Sequence, residues 1–159
     1  MTNTNIIQKL RSHAKWLDVE GGNLYQVRAY RQAAEIIARM DSPLEQLFAQ
    51  HGETALRELP GIGSHISFAL VCLLTKGTYH AMTDDYYRIP RGERLADLSG
   101  LGPHLAELLW DKLAILSMDE LEQVLVRGDL QELPISSKRQ KQWLNAIRKQ
   151  HGLAVSQAG

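Results

Sequence analysis

At 159 residues the chain is long enough for one domain of ordinary size or two small ones. Hydrophobic residues make up 44% of it and charged residues 23%, enough to bury a core and typical of a soluble chain. Eighteen basic residues balance eighteen acidic ones, and this formal neutrality excludes a protein that coats nucleic acid by bulk electrostatics. The bases gather at the two ends, Lys9, Arg11, Lys15, Arg28, Arg31 and Arg39 in the first 40 residues and Arg127, Lys138, Arg139, Lys141, Arg148 and Lys149 in the last 40, around an acidic centre. That distribution permits local phosphate contacts, and equally solvated faces with no partner. The longest apolar run, 68–74, is far short of the roughly 20 residues that cross a bilayer. The first five residues carry no basic and apolar leader pattern, and the one cysteine, Cys72, sits inside the apolar run as a reduced core residue. A cytoplasmic location and no membrane partner are expected.

In chain order, Ile6, Leu10, Ala14 and Leu17 fall at helical spacing and predict a helix over 5–17. Gly21-Gly22-Asn23 breaks it, and Tyr25, Val27, Tyr30, Ala34 and Ile37 mark a second helix. Asp41-Ser42-Pro43 ends that one, Leu44, Leu47 and Phe48 open a third, and His51-Gly52-Glu53 reads as a loop. Residues 79–94, with Asp84, Asp85, Pro90 and Gly92, are poor in helix signals and read as a linker or a loosely helical connection. Further on, Leu105, Leu108, Leu109 and Leu113 line a helix, and Ser117-Met118-Asp119-Glu120 reads as a capping box opening another. No alternating pattern of useful length occurs, so the expected fold class is all-α. The expected division is a helical domain over 1–80, a connector over 81–94, a second helical domain over 95–151 and a tail over 152–159.

Two short stretches organise the rest. Leu59-Pro60-Gly61-Ile62-Gly63-Ser64-His65-Ile66 is a tight turn running directly into an apolar helix, with Ser64 as the expected cap. Leu98-Ser99-Gly100-Leu101-Gly102-Pro103-His104-Leu105 repeats the pattern, with Pro103 suited to a first helical turn. A third copy, Leu133-Pro134-Ile135-Ser136-Ser137-Lys138, has lost both glycines and reads as mainly structural. The leucines that open the three copies are 39 and 35 residues apart, consistent with repeated helical pairs. Glycines before a helix leave backbone amides bare at its positive end, an arrangement that suits phosphate. The same residues serve equally as plain helix–helix turns. On the binding interpretation Gly61, Ile62, Gly63, Ser64, His65, Gly100, Leu101, Gly102 and His104 are the candidate DNA-contacting residues.

These two stretches resemble the helix-hairpin-helix, a sequence-tolerant clamp on the DNA backbone. Together with Asn23-Leu24-Tyr25-Gln26-Val27-Arg28-Ala29-Tyr30-Arg31-Gln32-Ala33-Ala34, they resemble the N-terminal lyase and fingers regions of family X DNA polymerases, the DNA polymerase beta type. The resemblance extends to about His151. It implies phosphate contacts at Tyr30 and Arg57. By their charge Arg28 and Arg31 are candidates to steer phosphate, and Arg31 is equally placed to pair with Glu35 one turn on. It also implies a monovalent cation, Na⁺ or K⁺, at the backbone carbonyls of Arg57, Leu59 and Ile62 and of Ala96, Leu98 and Leu101.

Two departures shape the expected function. The chain ends before a palm domain with its metal-binding aspartates could begin, so polymerase activity is not expected of it. The position of the family's Schiff-base lysine is Ala69, which has no amine, and two phosphate-binding lysines of the family fall at His65 and Gln26. The leading expectation is therefore a non-catalytic, sequence-independent DNA-binding protein that prefers gapped, nicked or 5′-phosphate duplex, acting in repair or DNA processing with or without a protein partner. The alternatives are a residual 5′-deoxyribose phosphate or abasic lyase using Lys76 or the N-terminal amine, and a protein-interaction adaptor that reuses the fold.

Overall fold

The computed structural model describes the backbone of residues 1–158 and the side chains of residues 1–152. Every regular element among the described residues is helical, which agrees with the absence of an alternating pattern in the sequence. The chain divides into two compact units, Met1–Met82 and Thr83–Gly159.

The first unit is built from α1 (Asn3–Val19), α2 (Leu24–Ala38), α3 (Leu44–Arg57) and α4 (Ser64–Lys76). Each boundary has a local cause. Thr2 caps α1 by accepting from the Asn5 amide, Asn23 caps α2 by accepting from the Tyr25 amide, and Gly77 stops α4 in the left-handed conformation. The expected loop at His51-Gly52-Glu53 is present as a kink within α3, where Gly52 takes φ 75° and ψ −167°. Ile6, Leu10 and Ala14 from α1, Val27, Ala33, Ala34 and Ile37 from α2, Leu44 and Leu56 from α3, and Ile66, Ala69, Leu70 and Leu73 from α4 form one core. Cys72 is buried in it as a free thiol.

The second unit contains α5 (Asp84–Arg88), α6 (Gly102–Leu113), α7 (Met118–Arg127) and α8 (Ser137–Ala158). Leu95, Leu98, Leu101, Leu109, Leu121, Trp143 and Ile147 make its core. The capping box at Ser117 and Glu120 forms as the sequence indicates.

The stretch expected as a connector, 81–94, contains the short helix α5 and is anchored by buried side chains. Tyr79 and His80, just before it, and Met82 are buried in the first unit, and Tyr86 and Arg94 are buried in the second. The Arg94 guanidinium donates to the Ile89 carbonyl and stands over the Tyr86 ring at 5.7 Å, while Leu95 N–H donates to Leu116 and Met118 N–H to Glu93. Buried aromatic area and a satisfied arginine hold this stretch in place despite its weak helix propensity. The expected tail at 152–159 begins within α8; the side chains of 153–158 and all of Gly159 lie outside the described residues.

Candidate nucleic-acid interface

The first hairpin grows out of the last turn of α3. Leu59 N–H donates back to Leu56, Pro60 prevents the helix from continuing, and Ile62 N–H closes a turn on the Leu59 carbonyl at 3.1 Å. Gly61, between them, has φ +92°, which only glycine takes without strain. The turn drives the Ile62 side chain into the core, where it is 5% exposed, and leaves Gly61, Gly63 and Ser64 at the surface. The N-cap of α4 is Gly63, in extended conformation, and no side chain caps this end. The expected cap, Ser64, is instead the first residue of the helix, and its carbonyl accepts from the Ser67 hydroxyl. Because the glycine takes the cap position, the first-turn amides lie beside no capping oxygen of their own.

The second hairpin repeats the turn bond, with Leu101 N–H on the Leu98 carbonyl at 3.3 Å and Gly100 at φ +84°. Leu101 is 3% exposed, again a plug into its own core. Helix α6 also starts without a side-chain cap, with Pro103 in its first turn. Ile62 and Leu101 thus enter the candidate set through their backbone alone, because their side chains face inward. The third copy differs: the Ser136 hydroxyl accepts from the Arg139 amide at 3.2 Å and occupies the end of α8. Two of the three turns present an uncapped helix start, and the one that lost its glycines does not.

The side chains around the first hairpin differ in exposure. Tyr30 is 1% exposed, so it lies beneath the site; its hydroxyl is 3.1 Å from His65 Nε2. His65, in the first turn of α4, is half-buried, with its ring at 77° to that of Tyr30. Arg31 is exposed but its guanidinium pairs with Asp18 at 3.2 Å, not with Glu35, whose carboxylate meets Arg11 and Arg39. Arg57 is exposed in the last turn of α3 and His104 is exposed on α6.

Two buried histidines complete the picture, and the sequence pattern did not single them out. His13 and His80 are 3% and 2% exposed. His13 meets the Tyr30 ring edge-on at 4.7 Å and stacks on Trp16. Burial, then the neighbouring His65 and His80, push the His13 pKa down to about 3, so this imidazole is neutral. The signal was available: His13 follows Leu10 by three residues and lies on the same face of α1.

Ala69 is fully buried, and Lys76 lies 12 residues beyond Ser64 on α4, about 18 Å along the helix axis. The N-terminal ammonium forms an ion pair with Glu45 at 3.3 Å. In the second unit, Asp119, Glu122 and His151 bring one potential metal-ligand atom each within 4.8 Å of one another. His151 already bridges the two carboxylates with opposite ring nitrogens, and Arg148 adds a positive charge beside Glu122, so the cluster reads as a clasp between α7 and α8. No helix of the described residues is long and apolar enough to cross a membrane.

No curated protein matches the chain. Residues 1–79, the stretch that holds the first hairpin, the Tyr30–His65 pair and buried His13, match the helix-hairpin-helix domain family.

Proposed function

We propose that this protein binds DNA through the phosphate backbone, without reading base sequence, using its two glycine hairpins. The observation that carries this is the paired arrangement: two turns with an inward apolar plug, surface glycines and a helix start that no side chain caps. Amides aimed at phosphates carry no base information, so sequence tolerance follows. The family match of residues 1–79 supports nucleic-acid binding in general. The finer likeness to the N-terminal region of DNA polymerase beta type enzymes rests on residues 23–34 and the two hairpins, and supports a role in repair or DNA processing.

We assign the contacts to the backbone of Gly61, Ile62, Gly63 and Ser64 and of Gly100, Leu101 and Gly102, with His65, His104 and Arg57 beside them. Arg31 joins only by releasing Asp18, and Tyr30 acts through His65. Leu59 and Leu98 each accept one turn bond and keep a second lone pair, which fits the proposed Na⁺ or K⁺ with the carbonyls of Arg57 and Ile62 and of Ala96 and Leu101. Such an ion would supply positive charge facing a phosphate. The proposed preference for gapped, nicked or 5′-phosphate duplex rests on the likeness to the lyase and fingers regions; continuous duplex has a persistence length of about 150 base pairs, so any bend in it costs a few kcal/mol that a gap or nick lowers.

Mobility shift of labelled gapped, nicked and continuous duplex across a salt series tests this. Binding to all three, tightest to the gap, with a log–log salt slope of about −2 to −4, is expected, because neutral amides make most of the contacts. Loss of binding in folded Gly63→Val supports the hairpin contact. Absence of binding at low salt would refute DNA binding and leave the adaptor.

A further inference from the structure

The third copy of the turn, Leu133-Pro134-Ile135-Ser136-Ser137-Lys138, keeps the apolar plug but closes the backbone around it. Ile135 is 7% exposed, in the place that Ile62 and Leu101 hold in the other two. The Ser136 hydroxyl accepts from the Arg139 amide, and the Gln140 side-chain amide donates to the Ile135 carbonyl at 3.0 Å. The helix start and the turn carbonyl are thus both engaged within the chain. Side-chain cations stand on the helix that follows.

On α8, Lys138, Lys141, Gln142, Asn145 and Lys149 are all exposed and share an arc of about 100° at 3.6 residues per turn. Trp143 and Ile147 lie on the opposite side, buried in the core of the second unit. The arc runs about 16 Å along the helix axis. No acidic residue follows Glu132 in the chain, so none lies on this helix. Among the described residues Lys138, Lys141 and Lys149 join no ion pair; Arg148 and His151, on the flank toward α7, meet Glu122 and Asp119.

The first turn of α8 gives a second observation. Helix α7 carries Asp119 and Glu120 in its first turn and Arg127 in its last, the order that the helix dipole favours. Helix α8 carries Lys138 and Arg139 in its first turn and no acid, the order that the dipole opposes. A polyanion laid across these cations relieves that opposition.

We propose that the outer face of α8 contacts the phosphate backbone of duplex DNA, through Lys138, Lys141 and Lys149 with Gln142 and Asn145 as neutral donors between them. The proposal rests on the DNA-binding function above and adds a surface that works by side-chain charge where the hairpins work by backbone amides. At about 3.4 Å of rise per phosphate on one strand, the arc is long enough to span several of them. A protein partner fits less well, because lysine is depleted in such interfaces and this arc has no aromatic or aliphatic anchor. A membrane surface fits less well too, because the apolar side of α8 is already spent in its own core.

Each lysine on a phosphate releases about one counterion and a neutral amide releases few, so the salt dependence of binding should reside in α8. The experiment is fluorescence anisotropy of the full chain with labelled gapped and continuous duplex over a salt series at constant pH. The triple variant Lys138→Gln, Lys141→Gln, Lys149→Gln should bind both duplexes more weakly, with a log–log salt slope shallower by about 2. Arginine at the same three positions should keep the wild-type slope. Folded Gly63→Val should weaken binding and keep the slope. Lys138→Glu should weaken binding while raising the melting temperature, which separates the contact from a role in folding. A wild-type slope in the glutamine triple variant overturns the α8 contact and leaves hairpin binding intact. Equal flattening when Lys9, Lys15 and Lys112 are replaced by glutamine assigns the effect to net charge and overturns it as well. Binding of labelled poly-glutamate that the triple variant loses, with duplex binding unchanged, gives the face to an acidic protein segment and overturns the DNA contact. No binding of either duplex at low salt overturns both this contact and the hairpin reading.

Discussion

The two hairpins share a sequence pattern but not a backbone. Gly61 and Gly100 occupy the same place in the same turn, at φ +92° and +84°, each followed by an apolar residue whose amide closes on a leucine carbonyl. The second glycines part company. Gly63 lies at φ −88° and ψ −179°, a conformation open to any residue, whereas Gly102 lies at φ +79°. Glycine at position 63 is therefore not required by the backbone, and a Cβ there would meet nothing within 4 Å. Its absence keeps the approach to the α4 amides clear. At position 102 the turn itself needs glycine. A further asymmetry lies at the next residue: Ser64 brings an amide to its helix start and Pro103 brings none. The first hairpin thus presents one more backbone amide at its helix start than the second, and it is the one with the histidines behind it.

The largest effect should come from the plugs. Ile62→Ala and Leu101→Ala each empty a buried position and should destabilise their own unit by about 2–5 kcal/mol. Urea unfolding followed by peptide-resolved hydrogen exchange should localise the loss to 1–82 for the first and to 83–159 for the second. Loss in the same peptides for both would erase the parallel between the hairpins.

Acid should separate the units next. His13 has a pKa of about 3 in the folded protein against about 6.5 unfolded, so below pH 6.5 the unfolded chain binds a proton that the folded one does not. Stability from this group is complete above pH 6.5 and is lost as pH falls toward 3, by up to about 1.4 kcal/mol per pH unit. The second unit has no histidine among its described buried residues, so peptides of 1–82 should open first between pH 6 and 4. His13→Gln should flatten the profile. An acid response confined to the second unit would contradict the assignment.

The glycines give smaller, more diagnostic effects. Gly61→Ala and Gly102→Ala should each cost about 1–2 kcal/mol for left-handed backbone. The first also carries a contact at 2.6 Å with the Gln32 side chain and 3.0 Å with Ile36. Gly63→Ala should change thermal stability by less than about 0.5 kcal/mol, because its angles are ordinary and its surroundings open. It should still weaken DNA binding in a mobility-shift titration. Unchanged affinity in Gly63→Val, which is bulkier at the same site, would remove the first hairpin from the interface.

Smallest of all, Pro103→Ala returns an amide to the second hairpin. Affinity for duplex should rise by about twofold or less, since one neutral hydrogen bond is a modest gain against water. A marked fall would mean that Pro103 matters for the turn rather than for the ligand.

Much of the architecture was legible in local chemistry. The helical spacing of Ile6, Leu10, Ala14 and Leu17, the break at Gly21-Gly22-Asn23, the Ser117 and Glu120 box and the two Gly-hydrophobic-Gly turns are instructions that neighbouring residues give each other, over distances of a few residues. What local rules could not supply was burial. That Tyr30 lies 1% exposed beneath His65, and that Tyr86 and Arg94 are buried in the 81–94 stretch, depends on packing between elements. Ser64 was chemically the better cap, yet Gly63 took the position because the turn at Gly61 fixed where the helix begins. Arg31 chose Asp18 on α1 over Glu35 on its own helix, a choice available only once α1 and α2 lie side by side. Sequence determines periodicity, turns and caps because these depend on bonded neighbours. Packing decides which polar groups meet, which lose water and therefore which can hold a charge, and that depends on residues far apart in the chain.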